Sequence, residues 1–454
     1  MGKRKTTHVF NETRRFVAGI DLAGAADHYV CGPRREDGTC EIEHFGTTTP
    51  ELNRMADWLR RRKVESVAME STGVYWIPVW DVLEAAGFEV LLVDTRETRM
   101  VPGRKSDIKD CQWLQRLHSC GLLRGCFRPP EEYNAVRSVI RELRNITAMR
   151  TQAIQAIQKS CDQMNIRIHH AVSDIDGVTG MRILEAIANG ERDPVKLAGM
   201  RDPRCRKSAG EIADELTGNW REEHLFTLRQ NLDLLKFLTA KVEAFDAKIR
   251  QMYAELAMKG GKPDPPPSGG PGPRRQKDDK DAEAKLTLAK LAGVDLTKID
   301  GIGYDSAAAI VAEIGTDLTM FPTENHFVSF VGLSPPTNKS AGKNIRTRGK
   351  CRNTHPVGQI LRDAAKTLWR SNCALGALYR SVRSRSCAKA AAMATAREMC
   401  KRIYRGLRHG QTYVDVGAEA FEERRRNRTV KSMKSKIEQL GIRPEELGFS
   451  QLSA

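Results

Sequence analysis

Short apolar runs alternate with segments of helical period along the N-terminal part of the chain. Phe16 to Leu22 is apolar, carries Asp21 at its end and runs into Ala-Gly-Ala-Ala, which predicts a strand followed by a tight turn. His28 to Arg34 and Cys40 to Gly46 predict two more strands joined by a turn at Asp37-Gly38. From Pro50 to Lys63 the period changes, with Leu52, Met55, Ala56 and Leu59 on one helical face. Ser66 to Met69 predicts a short buried strand running into Glu70, Ile77 to Ala86 a helix stopped by Gly87, and Phe88 to Val93 a buried strand. The next helix opens at Asp107 and runs to Leu117.

This order is three strands, helix, strand, helix, strand, helix. It predicts a ribonuclease-H-like α/β domain over residues 16–130, with a meander first and parallel strands after it. Glu131 to about Met164 keeps a helical period. A second long helix is predicted from about Arg221 to Met258, with Leu225, Leu228, Leu232, Leu235, Leu238 and Val242 at helical spacing. These helices, within 131–259, admit two readings: an antiparallel pair or coiled-coil dimer stalk, and an ordinary helical core. Gly260 to Lys285 reads as a linker, because Pro265-Pro266-Pro267 and the Gly/Pro run to Pro273 cannot hold a helix. A mainly helical C-terminal domain is expected over 286–415. A basic arm over 1–15 and a charged, partly ordered tail over 416–454 complete the division.

Charge adds a partner. The 454 residues carry a formal net charge of +17, which favours a polyanion such as nucleic acid over neutral partners. The excess is local: between Lys339 and Arg408 the acids are Asp363 and Glu398 alone. The 11 cysteines include no Cys-x-x-Cys pair and no zinc spacing, so they read as reduced thiols of a cytoplasmic protein. No apolar run approaches the ~18 residues of a membrane helix. Asp21 interrupts the only run that resembles a signal sequence, Phe16 to Ala26.

Four acids carry the first candidate chemistry. Asp21 closes the first strand and Glu70 the fourth. Asp107 and Asp110 share one face of the helix that follows Val101-Pro102-Gly103-Arg104-Lys105-Ser106. In an open α/β sheet ligands gather at the carboxyl ends of parallel strands, so the fold brings these distant acids together. Carboxylates side by side repel unless a cation separates them, which predicts a site for Mg²⁺ (or Mn²⁺) acting on a phosphodiester. Arg104 and Lys105 fit an anionic substrate. For any one acid alone, a solvated loop or helix-cap residue is the simpler reading.

The C-terminal region holds a second candidate. Ile299-Asp300-Gly301-Ile302-Gly303 before a helix at Ser306 to Ile314 is similar to a helix-hairpin-helix element, whose Gly301 and Gly303 turn would offer backbone N–H groups to a phosphate. Further on, Ser340 lies in Lys339-Ser340-Ala341-Gly342-Lys343, with Arg346, Arg348, Lys350 and Arg352 close behind. Cations around an exposed serine can hold a phosphate for attack. They equally fit a solvated face, or phosphate contacts without chemistry.

Taken together, Gly19-Ile20-Asp21, Met69-Glu70-Ser71-Thr72-Gly73, Val101 to Asp110 with Cys111-Gln112-Trp113-Leu114, Gly301-Ile302-Gly303 and Lys339 to Lys343 resemble the bridge-RNA-guided insertion-sequence transposases, the group named for its DEDD acids. The resemblance implies a RuvC-like catalytic domain, a coiled-coil stalk and a C-terminal transposase domain. Asp21, Glu70, Asp107 and Asp110 would be the metal-binding acids. Ser340 would be the catalytic serine that forms a covalent phosphoserine with DNA. It further implies a structured bridge RNA pairing with donor and target DNA. Related members act as DNA invertases. The long Pro/Gly linker departs from the family pattern and leaves the spacing between domains open.

Four functions follow from this reading: an RNA-guided recombinase, a metal-only nuclease of junction-resolving type, a site-specific DNA invertase without an RNA guide, and a basic nucleic-acid scaffold without chemistry. With the acids and the serine on opposite sides of a linker, the recombinase reading expects a homo-oligomer, a dimer or a tetramer of two dimers. It expects no membrane and a nucleoid-associated location. RNA binding itself has no sequence signature here, since aromatics are only 6% of the chain and no RRM-type pattern occurs.

Overall fold

A computed structural model describes residues 12–24, 26–71, 73–95, 106–205, 207–260, 281–334, 355–410 and 416–439 and, as backbone, 338–340 and 343–345. The chain divides into two units, Met1–Arg128 and Pro129–Ala454.

In the first unit β1 (Val17–Asp21), β2 (His28–Arg34) and β3 (Cys40–Phe45) form an antiparallel meander. Its Asp37-Gly38 turn closes by Gly38 N–H donating to Arg35 O, 3.0 Å, with Gly38 at φ +82°. Then come α1 (Thr49–Arg61), β4 (Ser66–Glu70), α2 (Trp76–Ala85), β5 (Glu89–Val93) and α3 (Asp107–Ser119). The sheet order is β3-β2-β1-β4-β5, with β1–β4 and β4–β5 parallel. The expected order of elements is present, a strand meander first and parallel strands after.

Strand alternation assigns the two faces of this sheet. Ala18, Ile20, Val67 and Met69 enter one core with Leu52, Met55 and Leu59 of α1 and Val79 and Leu83 of α2. The intervening residues turn to α3. Ser66 Oγ meets His118 Nε2 at 2.8 Å, and a side chain at Gly19 would collide with α3. Residues 12–15 of the expected basic arm are tied down, which corrects the looseness expected of them. The N–H groups of Thr13 and Arg14 donate to Ser119 O at 2.8 and 3.0 Å, and Glu12 accepts from Arg34 and Arg116.

The second unit begins with α4 (Glu131–Gln163). Four short helices follow, α5 to α8 (Ile168–Ala171, Val178–Ala188, Pro194–Gly199, Ala209–Leu216), and then α9 (Glu222–Gly260). The two long helices are antiparallel neighbours: Arg150 Nε donates to Thr239 Oγ1 at 3.1 Å, and Asn219 N–H to Met164 O at 2.8 Å. Leu225, Leu228, Leu232, Leu235 and Leu238 are buried against Ala153, Ile157 and Cys161 and the short helices.

Beyond residue 280 come α10 (Ala282–Ala292), α11 (Tyr304–Ile314) and α12 (Glu324–Phe330). A β6–β7 hairpin (Asn338–Ser340, Lys343–Ile345) follows, then α13 (Pro356–Thr367), α14 (Ala374–Arg383), α15 (Ala388–His409) and α16 (Ala418–Gln439). α11 is buried on nearly all sides. Tyr253 of α9 donates its hydroxyl to Ala308 O at 2.6 Å, and Arg141 of α4 binds the buried Glu313 carboxylate through two bonds of 2.9 and 2.8 Å. The helix pair and the C-terminal helices therefore share one unit. Two boundaries need correction. The expected linker of 260–285 overlaps α10, which starts at Ala282 where Asp281 pairs with Arg250. The charged tail is helical from Ala418 to Gln439, although it buries little beyond Ala418. Among the described residues no helix is long and apolar enough to cross a membrane.

Candidate active site

The acid site follows from how α3 lies on the sheet. α3 runs opposite to β1 and β4. His118, near its end, meets Ser66 at the start of β4, and Cys111, Leu114 and Gln115 lie over Gly19. One helical turn, about 5.4 Å, spans nearly the same distance as two strand residues. Asp107, one turn before Cys111, and Asp110, one turn before Leu114, therefore stand level with Asp21, two residues after Gly19. Glu70, the last residue of β4, has the parity of Ser66 and Ala68 and emerges on the same face.

Gly19 makes this approach possible. A Cβ there would lie 2.3 Å from Gln115 N and 2.5 Å from Cys111 O, which are backbone atoms that cannot swing away. At the other end, Ser106 caps α3 by accepting from Lys109 N–H, and Asp107 and Asp110 occupy the first turn, where the helix dipole favours negative charge.

The site's electrostatics are those of carboxylates crowded together. Burial, and then the charges of Asp110, Asp107 and Glu70, push the Asp21 carboxyl from 3.8 up to about 6. The loop after Asp21 is pinned by His28, whose buried Nδ1 accepts from Ala23 N–H at 3.2 Å. Burial holds this imidazole below its ordinary value, so it stays a neutral acceptor at physiological pH. Among the described residues no three His, Cys, Asp or Glu side chains are gathered closely enough to hold a metal ion as they stand. The donors are all hard oxygens around a carboxyl that resists ionising, which fits Mg²⁺ or Mn²⁺ and would be relieved by either.

The Gly301-Ile302-Gly303 turn forms as expected. Gly301 sits at φ +84°, and Gly303 is the N-cap of α11. One neighbour was not anticipated. Asp305 lies in that turn with Asp281 nearby, and burial followed by the Asp281 charge raises its carboxyl above the usual range, so a phosphate there would compete with anions already present. Ser340 ends β6 and pairs with Lys343 at the start of β7 across a tight hairpin, and Lys339 lies in β6. Arg104, Lys105, Arg346, Arg348, Lys350 and Arg352 lie outside the described residues. Gly19 and His28 were missed as site residues. A glycine inside an apolar strand was the available signal for close backbone approach; His28 left none, because its partner is a backbone N–H.

Two family comparisons bear on this arrangement. Residues 18–166, which hold all four acids, match a DEDD transposase family of IS110 type, and residues 294–380, which hold the Gly301 turn and Ser340, match the transposase IS116/IS110/IS902 family. A comparison with curated proteins gives no match. The class is therefore that of a transposase, an enzyme that cuts and rejoins DNA. With more than half of its length in the two matches, the chain belongs to the IS110 family of insertion-sequence transposases.

Proposed function

We propose that this transposase is an RNA-guided recombinase that exchanges donor and target DNA strands through a phosphoserine on Ser340, supported by the carboxylate site. The observation that carries the reading is the convergence of Asp110, Asp107 and Glu70 on the raised Asp21 carboxyl. Crowded carboxylates of this kind supply the hard-oxygen donors that a divalent cation takes. Asp21, Glu70, Asp107 and Asp110 would hold Mg²⁺ or Mn²⁺, and an ion so bound polarises a phosphodiester.

In the proposed step the Ser340 oxygen bonds to phosphorus and the phosphorus–oxygen bond to one sugar breaks. The serine gives up its proton and the released sugar oxygen takes one up. Attack by a sugar hydroxyl of the other DNA reverses the step, frees the serine and rejoins the strands. Phosphodiester energy is thus kept through the exchange. Lys339, Lys343, Arg346, Arg348, Lys350 and Arg352 would neutralise the DNA backbone, with Arg104 and Lys105 doing so beside the acids. The domain reading stays as proposed: a RuvC-like domain at 16–130, a stalk at 131–259 that sets a homo-oligomer, and a transposase domain at 286–415. A structured bridge RNA would select the DNA by pairing, and the net charge of +17 supports a nucleic-acid load of that size.

Replacing Asp107 by Asn tests the reading. Strand cleavage should fall at least a hundredfold while DNA binding holds, because the charge removed is negative. Cleavage unchanged in Asp107→Asn would remove the acid site from the reaction. Sequencing the RNA that copurifies with the protein tests guidance; recovery of no defined RNA would remove it.

A further inference from the structure

Beside the acids the chain builds an apolar shelf that the proposed chemistry does not use. After Glu70 the backbone turns through Gly73, at φ +54°, and the turn is locked by Trp76 Nε1 donating to Gly73 O at 3.1 Å. Between that turn and α2 the chain presents Val74 and Tyr75, 67% and 47% exposed. The Tyr75 ring is not loose. It lies on Gly24, three residues after Asp21, so closely that a Cβ there would stand 2.6 Å from the ring's Cζ and 2.9 Å from its hydroxyl oxygen. Two glycines thus seat one aromatic ring: Gly73 supplies the left-handed turn and Gly24 the bare surface beneath the ring. The ring bridges the loops that leave Asp21 and Glu70, lying against Gly24 and Gly73 with the residue 47% exposed.

We propose that Tyr75 is a base-stacking platform, on which a nucleobase next to the DNA phosphate held at the acid site lies against the exposed part of the ring, with Val74 beside it. The proposal rests on the reading of Asp21, Glu70, Asp107 and Asp110 as the cleavage site. The occupant follows from the chain's being a transposase: the polymer brought to these acids is DNA, and a base adjoining the bound phosphate is the apolar surface nearest to the ring. Every base offers a π-face, so stacking tolerates any sequence. That suits an enzyme acting at junctions whose sequence the shelf does not read. A base lying on Tyr75 has left its own stack, so the shelf would also mark the cut junction as locally opened.

The test is a protein–DNA double-mutant cycle. Full-length protein, with its copurifying nucleic acid, acts on duplexes carrying its recombination junction, intact or with an abasic nucleotide on either side of the cut phosphate. Tyr75→Ala and Tyr75→Leu should each slow cleavage of intact DNA about five- to a hundredfold, the range that base–aromatic stacking supplies. Tyr75→Phe should recover most of that loss. At one of the two positions an abasic nucleotide should slow the wild type to a similar extent, and combining it with Tyr75→Leu should add little. Losses that multiply independently at both positions, or Tyr75→Leu cleaving like wild type, would overturn the platform. The first of these results assigns Tyr75 a packing role, and the second fits a ring covered by protein instead of DNA. Failure of the underlying reading looks different: Asp107→Asn would then cleave normally whatever Tyr75 does.

Discussion

At the scale of single residues, Gly19 has the largest leverage on the site. Its missing Cβ lets the backbone of α3 rest on β1, and that contact sets the height of Asp107 and Asp110. Gly19→Ala should destabilise the first unit by about 3 kcal/mol, read as a lower midpoint in urea, with cleavage lost at temperatures where the fold survives. Asp21 makes the opposite prediction for stability. Its folded carboxyl titrates near 6 against 3.8 unfolded, so the native state binds the proton more tightly between those values. Its favourable contribution is complete below pH 3.8 and is lost as pH rises through 6, leaving an ionised carboxylate as a cost at neutral pH. Asp21→Asn should therefore raise Tm at pH 7 by roughly 2 °C, make little difference near pH 4, and abolish cleavage. Millimolar Mg²⁺ should raise the Tm of the wild type, an effect that EDTA reverses and that the variant largely lacks. The four acids could be found from strand ends and helix spacing alone. The Gly19 contact could not, because a close approach is a property of two segments and only one of them is written at residue 19.

At the scale of elements, period and punctuation carried most of the first unit. The predicted strand at His28 to Arg34 coincides with the observed one, and the strand at Phe88 to Val93 and the helix at Asp107 to Leu117 differ from the observed ones by a residue or two at one end. The chain between Met164 and Arg221 was not legible. Its short helices bury residues such as Ile183, Ile187, Leu197 and Ile212 in a core completed by the long pair, so no single stretch repeats long enough to show a period. The charged helix at Ala418–Gln439 was read as a partly ordered tail because it lacks an apolar face, the signal on which helix prediction rests. α13 carries an element-scale prediction. It is capped by His355, whose Nδ1 accepts from Val357 N–H at 3.3 Å, and whose ring lies 4.6 Å from that of Phe330. Burial lowers this imidazole from 6.5 to about 4, with Arg141 and Arg137 adding to the shift and Glu313 opposing it. The folded state then binds fewer protons than the unfolded one, so stability falls as pH drops from 6.5 toward 4. His355→Asn keeps a capping acceptor without a titrating group. Thermal unfolding of the second unit should be less sensitive to pH between 5 and 7.5 in this variant; an unchanged slope would show that other groups set it.

At the scale of the whole molecule, two regions with different chemistry belong to one IS110-family transposase: four carboxylates on an α/β sheet, and a serine in a hairpin bordered by a strongly basic segment. The sequence made both visible, the acids through their places in the topology and the serine through family resemblance. Neither composition nor period gave Ser340 a role, since a loop serine among cations has no pattern of its own. The division of labour is the central claim: the acids support attack and Ser340 makes it. The most direct measurement is trapping with a suicide DNA substrate, nicked so that the cut strand cannot be rejoined, followed by mass spectrometry of the protein. The account predicts a covalent DNA adduct mapped to Ser340, absent in Ser340→Ala and strongly reduced in Asp107→Asn. Cleavage persisting in Ser340→Ala with no adduct on the wild type would contradict it, and would assign the reaction to the carboxylates alone.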